Sequence, residues 1–350
     1  MSIGWQAQRP EEAQLMARFT SVEQRIDAYA HRLLDGAPER GIRSSLVEFL
    51  VFGLKQAWAC VFGAAMLLAI IGAKLWYPDG AALARNDFLV IAAVAIQVVM
   101  VATRLETVRE LRVIILFHIV GTGMELFKTS VGSWIYEGEG ILHLGGVPLY
   151  SGFMYAAIGS YMVRVYRLFD LRFSRYPPRW VTAILAALIY LNFFTYHYIA
   201  DARYLLFAGA VAVFGLCTMQ FRVFRRRFRM PLLVTFLGVA LFIWIAENIG
   251  TWADAWQYPN QEDGWQLVSL AKLGSWFLLM IISVVLVAWV YPPRPPDPVV
   301  ERVGSETPPV VELVETRPET DSGPGEQDGR GAAPRPGETG ERPDDEPLTR

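Results

Sequence analysis

Cysteine and histidine are scarce in this chain, with two and four in 350 residues. Two isolated thiols, Cys60 and Cys217, make neither a disulfide framework nor a zinc site. No His-Glu-x-x-His and no Glu-x-x-His pair occurs. A metal centre built from His118, Glu125, His197 and Glu247 therefore has only its ligand chemistry in favour, and no metal or cofactor is expected. The phosphate-cradling P-loop, the GxGxxG turn after a strand and the nucleophile elbow are also missing, which removes the enzyme classes built on them. Charge is sparse, at 19% Asp, Glu, Lys and Arg against about 25% in average soluble domains. The first apolar run follows some 55 mostly polar residues, so no secretory signal peptide is expected.

What fills the chain is apolar: 53% of residues are hydrophobic. Eight stretches approach the ~20 residues that a bilayer-spanning helix needs, near 57–76, 86–103, 111–131, 147–166, 180–199, 204–221, 231–252 and 268–291. The expected fold is all-α, a polytopic membrane helix bundle of eight transmembrane helices. Arginine alternates with this count. Arg104, Arg109 and Arg112 follow the second span; Arg164, Arg167, Arg172, Arg175 and Arg179 the fourth; Arg222, Arg225, Arg226, Arg227 and Arg229 the sixth. The odd-numbered loops carry only Arg85 and Arg203. The positive-inside rule then gives a multi-pass protein of the cell membrane with both termini cytoplasmic. The bilayer is its first partner, and the 222–229 cluster reads as a topology signal, not a nucleic-acid patch.

Three regions follow. Residues 1–56 hold a soluble amphipathic helix over 11–35, with Leu15, Phe19, Val22, Ile26, Tyr29 and Leu33 on one stripe, and an interfacial lead-in. That helix lies on the membrane or on the bundle; a dimerising coiled coil, and with it a homodimer, is the alternative. Residues 57–291 form the membrane domain. Residues 292–350 contain 13 of the 21 prolines, 14 acidic residues and 7 arginines, a composition expected to stay disordered.

Inside the membrane domain one phrase occurs twice. Glu125 is followed by Trp134 and Tyr136, nine and eleven residues on, and Glu247 by Trp256 and Tyr258 at the same spacings, 122 residues later. Asp79 and Asp201 share that offset. A tandem 4+4 repeat with parallel halves is expected, related by a pseudo-two-fold axis along the membrane normal. A carboxylate inside a bilayer costs at least ~2.5–3.5 kcal/mol and marks a functional site by default. Glu125, Lys128, Glu247, Asn248 and Lys272 fall at one depth, in the outer thirds of their spans, with His197 near the outer end and His118 nearer the middle. The candidate catalytic residues are Glu125, Glu247, His118, His197 and Lys272. The candidate substrate-binding residues are Trp134, Tyr136, Trp244, Asn248, Trp256, Tyr258 and Trp276. Against this stands a structural account: Glu125 or Glu247 paired with Lys128 or Lys272 to fix helix register, and tryptophans forming an ordinary interfacial belt.

The strings KQAWACVF (55–62), MELFKTSVGSWIY (124–136), GGVPLYSGFMYAAIGSY (145–161), RMPLLVTFLGVALFIWIAENIGTW (229–252) and KLGSWFLLM (272–280) resemble the YoaT-type family of bacterial integral membrane proteins. That resemblance implies a membrane fold and no activity. The chain departs from it at Tyr136-Glu137-Gly138, where Tyr-Pro-Glu is expected. Glu125, Gly132-Ser133-Trp134-Ile135-Tyr136 and Gly146-Val147-Pro148 are also similar, more loosely, to membrane carotenoid hydratases and small membrane lycopene cyclases. The cyclases' paired acidic residues are replaced here by Leu149-Tyr150. The looser similarity implies acid catalysis on an isoprenoid lipid. Burial favours the neutral acid, so Glu125 or Glu247 would hold a proton for a double bond, with Trp244 or Trp276 stabilising the cation formed. A proton-coupled transporter or flippase of a lipid-like solute, and a membrane scaffold, are the competing expectations.

Overall fold

Helices occupy all eight apolar runs. After α1 (Ser21–Leu33) and α2 (Ile42–Ala59) come α3 (Val61–Trp76), α4 (Arg85–Ala102), α5 (Val108–Ser130), α6 (Tyr150–Leu168), α7 (Arg179–Thr195), α8 (Arg203–Phe214), α9 (Leu232–Trp252) and α10 (Ala271–Val290). These come from a computed structural model that describes residues 19–33, 41–138 and 140–296. The start of the expected amphipathic helix and the tail beyond residue 296 lie outside the described residues.

Among the described residues three helices, α4, α9 and α10, are long and apolar enough to cross a membrane. A fourth candidate is the pair α2 and α3, bent by 62° at the break between them. The lead-in read as interfacial is thus the first arm of an elbow at Cys60. The sixth run departs from expectation. Helix α8 has 12 residues, about 18 Å at ~1.5 Å per residue, well short of the ~30 Å hydrocarbon layer. Gly215 ends it, and Thr218–Arg222 is a strand. A short apolar run that belongs to a strand has the same signature as a buried helix segment.

The fold is mostly helical but not all-α. β1 (His143–Leu144) and β2 (Val147–Pro148) form a hairpin ahead of α6. β3 (Arg172–Ser174), β4 (Thr218–Arg222) and β5 (Arg227–Pro231) form an antiparallel sheet in that order. This sheet is made from the arginine-rich loops, and its charges are bound in place. Asp170 pairs with Arg172, Arg227 and Arg294 at 3.4, 3.2 and 3.0 Å. Glu48 on α2 accepts the backbone N–H groups of Arg225 and Arg226 at 2.8 and 3.0 Å.

Helix α1 lies on this end of the bundle. Thr20 and Glu23 cap its first turn reciprocally, as Thr107 and Glu110 do for α5. The same two glutamates grip Arg167 on α6: Glu23 at 2.8 Å and Glu110 in a closer pair. Trp58 donates to Glu23 as well. At the base of α6, Arg164 and Glu106 form a fully buried ion pair at 3.0 Å, each side chain about 1% exposed.

Helices α5 and α6 pack face to face because small residues line the seam. A Cβ on Gly121 would overlap the Tyr155 ring, and one on Gly152 would overlap Thr122 and the His118 imidazole. This approach turns the Tyr155 hydroxyl towards α5.

Candidate functional site

The site begins where α5 and α9 end, and the two ends are built alike. After α5, the N–H groups of Val131, Gly132 and Ser133 bond the carbonyls of Phe127, Thr129 and Lys128 at 3.1, 3.1 and 2.9 Å. After α9, Ala253, Asp254 and Ala255 bond Ile249, Thr251 and Gly250 at 2.9, 3.1 and 3.0 Å. Every partner is displaced by 122 residues. Each end turns through one left-handed residue, Gly132 at φ 69° and Asp254 at φ 51°, the helix stop that satisfies otherwise orphaned carbonyls.

The returning chains then meet. Ile135 and Gln257 form an antiparallel bridge, each N–H donating to the other's carbonyl at 2.9 Å. The residues flanking the bridge are Trp134 and Tyr136 on one side, Trp256 and Tyr258 on the other. Trp134 Nε1 and Tyr136 Oη both donate to Glu125 Oε2 at 2.6 Å. Tyr155 Oη on α6 donates to Glu125 Oε1 at 2.7 Å. Tyr258 Oη donates to Glu247 Oε1 in a very short hydrogen bond, and Trp276 Nε1 on α10 donates to Oε2 at 2.8 Å. Burial first, then the adjacent carboxylates, holds the Tyr136 and Tyr258 hydroxyls well above their ordinary range, so both remain protonated donors. Glu125 accepts from three donors and Glu247 from two.

Both carboxylates line one cavity of about 1280 Å³, larger than the ~300–1,000 Å³ of drug-sized ligand pockets. Its wall is chiefly apolar and aromatic. It runs from Phe52 and Phe221, beside the arginine-rich sheet, to Tyr196 and Arg203 near the opposite loops. Lys272 also lines it, with its ammonium 4.1 Å from the centre of the Tyr258 ring and 5.4 Å from that of Trp134. Lys128 donates to the Phe193 carbonyl at 2.8 Å and meets His197 Nε2 at 3.0 Å. The Phe193 and Tyr196 rings stand 3.9 and 4.2 Å from it. Because an ammonium only donates, His197 Nε2 is the acceptor in this contact and the imidazole is neutral.

The expected residues therefore divide. Glu125, Glu247, Trp134, Tyr136, Trp256, Tyr258, Lys272 and Trp276 come together around the cavity. Trp256 makes no bond to a carboxylate; it packs over Gly250, where a Cβ would overlap its ring. His118 faces Gly152 and Phe153 and does not line the cavity. His197 joins Lys128 and stays apart from the carboxylates. These four residues thus do not gather as a ligand set. Trp244 and Asn248 do not line the cavity; they clamp the chain entering α10: Trp244 Nε1 donates to the Val268 carbonyl at 3.2 Å, and Asn248 Oδ1 accepts from Val268 N–H at 2.9 Å. No ion pair joins Lys128 or Lys272 to Glu125 or Glu247 among the described residues, so the register-fixing pair expected as the structural alternative does not form. Trp134 is buried inside the site, not placed in an interfacial belt. Tyr155 was missed by sequence reasoning; the signal for it was the small residues that set the α5–α6 seam.

The chain is 43% identical over 245 residues to a curated protein, the uncharacterized protein YoaT of Bacillus subtilis (strain 168), across 70% of this chain and 92% of that one. No solved structure matches it. Residues 48–284, which contain both glutamate phrases and every cavity-facing residue named above, match the family described as protein of unknown function (DUF817), and the chain belongs to that family.

Proposed function

We infer that this is an eight-span membrane protein, two parallel four-helix halves enclosing an interior site, that acts chemically on a polyprenyl or other unsaturated lipid. The observation that carries the reading is two carboxylates, each held by the tyrosine eleven residues on, lining one large apolar cavity. The three spanning-length helices, the bent α2–α3 pair and the helical character of the remaining apolar runs support the topology, with α8 as the short member. The matching helix ends and the reciprocal Ile135–Gln257 bridge support the repeat, because a two-fold axis pairs each residue with its own counterpart.

The unequal donor sets divide the labour between the carboxyl groups. Glu125, with acceptor sites taken by Trp134, Tyr136 and Tyr155, serves as the fixed negative charge. Glu247, with fewer donors, is the group that gains and releases a proton. In a hydration, Glu247 gives its proton to one alkene carbon, leaving a cation on the other. Water adds to that cation, and the resulting oxonium returns a proton to Glu247. Trp276 and Trp256 line the cavity, where an aromatic ring would stabilise such a cation.

Mass spectrometry of lipids from cells expressing wild type or Glu247→Gln tests this. The expected outcome is a prenyl lipid heavier by one water in wild-type cells only, with the variant still folded. Identical lipid masses in both would sink the enzyme reading. A cavity that reaches from the arginine-rich sheet to the opposite loops favours a second reading, proton-coupled movement of the same lipid. Transport changes which leaflet holds the lipid while its mass stays constant.

Sidedness is tested separately with Cys60 and Cys217 replaced by Ala. A cysteine at Glu262 should react with an impermeant maleimide applied outside intact cells, and one at Arg175 should not. Outside labelling of Arg175 contradicts the eight-span topology with both termini cytoplasmic.

A further inference from the structure

Two of the cations lining the cavity have no ion-pair partner among the described residues. There Lys272 makes no side-chain hydrogen bond; its ammonium stands against the faces of Tyr258 and Trp134, and Glu247 and Glu125 attract it only from beyond ion-pair distance. Lys128, about 1% exposed, bonds to a neutral carbonyl and a neutral imidazole. The nearest carboxylates are committed elsewhere, Glu125 and Glu247 to their tryptophan and tyrosine donors. Asp201 pairs with Arg203 at 3.3 Å and accepts from Asn192 at 3.0 Å. Lys128, Lys272 and Arg203 all line the same cavity and are near enough for their charges to oppose one another. Buried charges in proteins are paired or coordinated, since an isolated one is costly. Two ammonium groups and a guanidinium at one end of an apolar cavity make a site that attracts an anion.

We propose that the Lys128, Lys272 and Arg203 end of the cavity binds the anionic head group of a long-chain lipid, a phosphate monoester, with the hydrocarbon chain extending along the aromatic wall towards Phe52 and Phe221. This deepens the proposed function and rests on its reading of the cavity as a lipid site. Ammonium and guanidinium supply point-charge and forked hydrogen bonds to phosphate oxygens. Glu125 and Glu247 lie on the cavity wall shielded by neutral donors, so a reactive double bond near the head group passes in front of them.

The test uses the full-length protein in nanodiscs, with dissociation constants measured for geranylgeranyl monophosphate, geranylgeraniol and inorganic phosphate. One or two charge-assisted hydrogen bonds imply that the phosphate ester binds about 10- to 100-fold more tightly than the alcohol. Lys272→Gln should bring that ratio close to one, and Lys272→Arg should retain most of it. Lys128→Gln provides a second reading should Lys272→Gln fail to fold. Equal affinity of ester and alcohol in the wild type overturns the proposal while leaving the cavity reading intact. A ratio unchanged in both Gln variants overturns it as well. Inorganic phosphate displacing the ester at comparable concentration would make this a free-phosphate site and overturn the lipid assignment. If neither prenyl compound binds, the cavity reading falls first and this inference with it.

Discussion

Replacing Glu106 by Ala is expected to destabilise the folded protein by about 3–5 kcal/mol, the range seen when one partner of a buried ion pair is removed. The cost comes from what remains. Arg164 would keep its charge at the base of α6 with one bond left, to the Trp58 carbonyl at 3.1 Å. Ser160 and Gln97, which donate to Glu106 at 2.5 and 2.6 Å, would lose their acceptor. The double variant Glu106→Ala, Arg164→Met should recover much of the loss, because it removes the stranded charge along with its partner. Thermal unfolding of the detergent-solubilised protein reads this directly. Additive losses in the double variant would mean that the pair is not coupled.

The second large effect concerns Glu125. In Glu125→Ala the Trp134 N–H and the Tyr136 and Tyr155 hydroxyls lose their acceptor inside the bundle. An unsatisfied buried donor costs about 1–3 kcal/mol, so a loss of about 3 kcal/mol or more is expected even with partial relaxation. Glu125→Gln should lose much less, since the amide keeps one acceptor oxygen and a tyrosine hydroxyl can turn to accept from its NH₂ group. The two variants separate architecture from chemistry: Ala should melt well below wild type, while Gln should melt near it and still lack activity. Equal melting temperatures for wild type and Glu125→Ala would show that the three donors hold nothing in place.

These outcomes depend on features that differ in how far they can be read from sequence. Glu125 with Tyr136, and Glu247 with Tyr258, were legible because a helix end, a left-handed turn and a short return bring residues eleven apart together. That is local geometry. Trp134 and Trp256 occupy equivalent places in sequence, yet only Trp134 reaches its carboxylate. Gly250 lets the Trp256 ring settle on α9, and Trp276 supplies the donor instead. Lys128 stands at the matching position in the first half, and its side chain excludes that packing. Tyr155 and the seclusion of His118 follow from how closely α5 and α6 approach, which the spacing within either helix does not reveal. His118 stands seven residues before Glu125, only about 20° away around the helix, yet Gly152 and Phe153 cover it. The β4 strand was hidden for a different reason, since Met219 and Phe221 extend an apolar run without marking the change of backbone after Gly215.

The bridge between Ile135 and Gln257 uses only main-chain atoms, and that bears on how such a protein changes over generations. A contact made by side chains constrains both partners, because a substitution on one side must be answered on the other. Two peptide groups exchanging N–H and C=O make no such demand. The residues at the meeting point are free to drift, and here one is isoleucine and the other glutamine. Each segment can acquire its own lysine, tryptophan or glycine nearby while the seam stays in register, which leaves selection free to specialise the two glutamates separately.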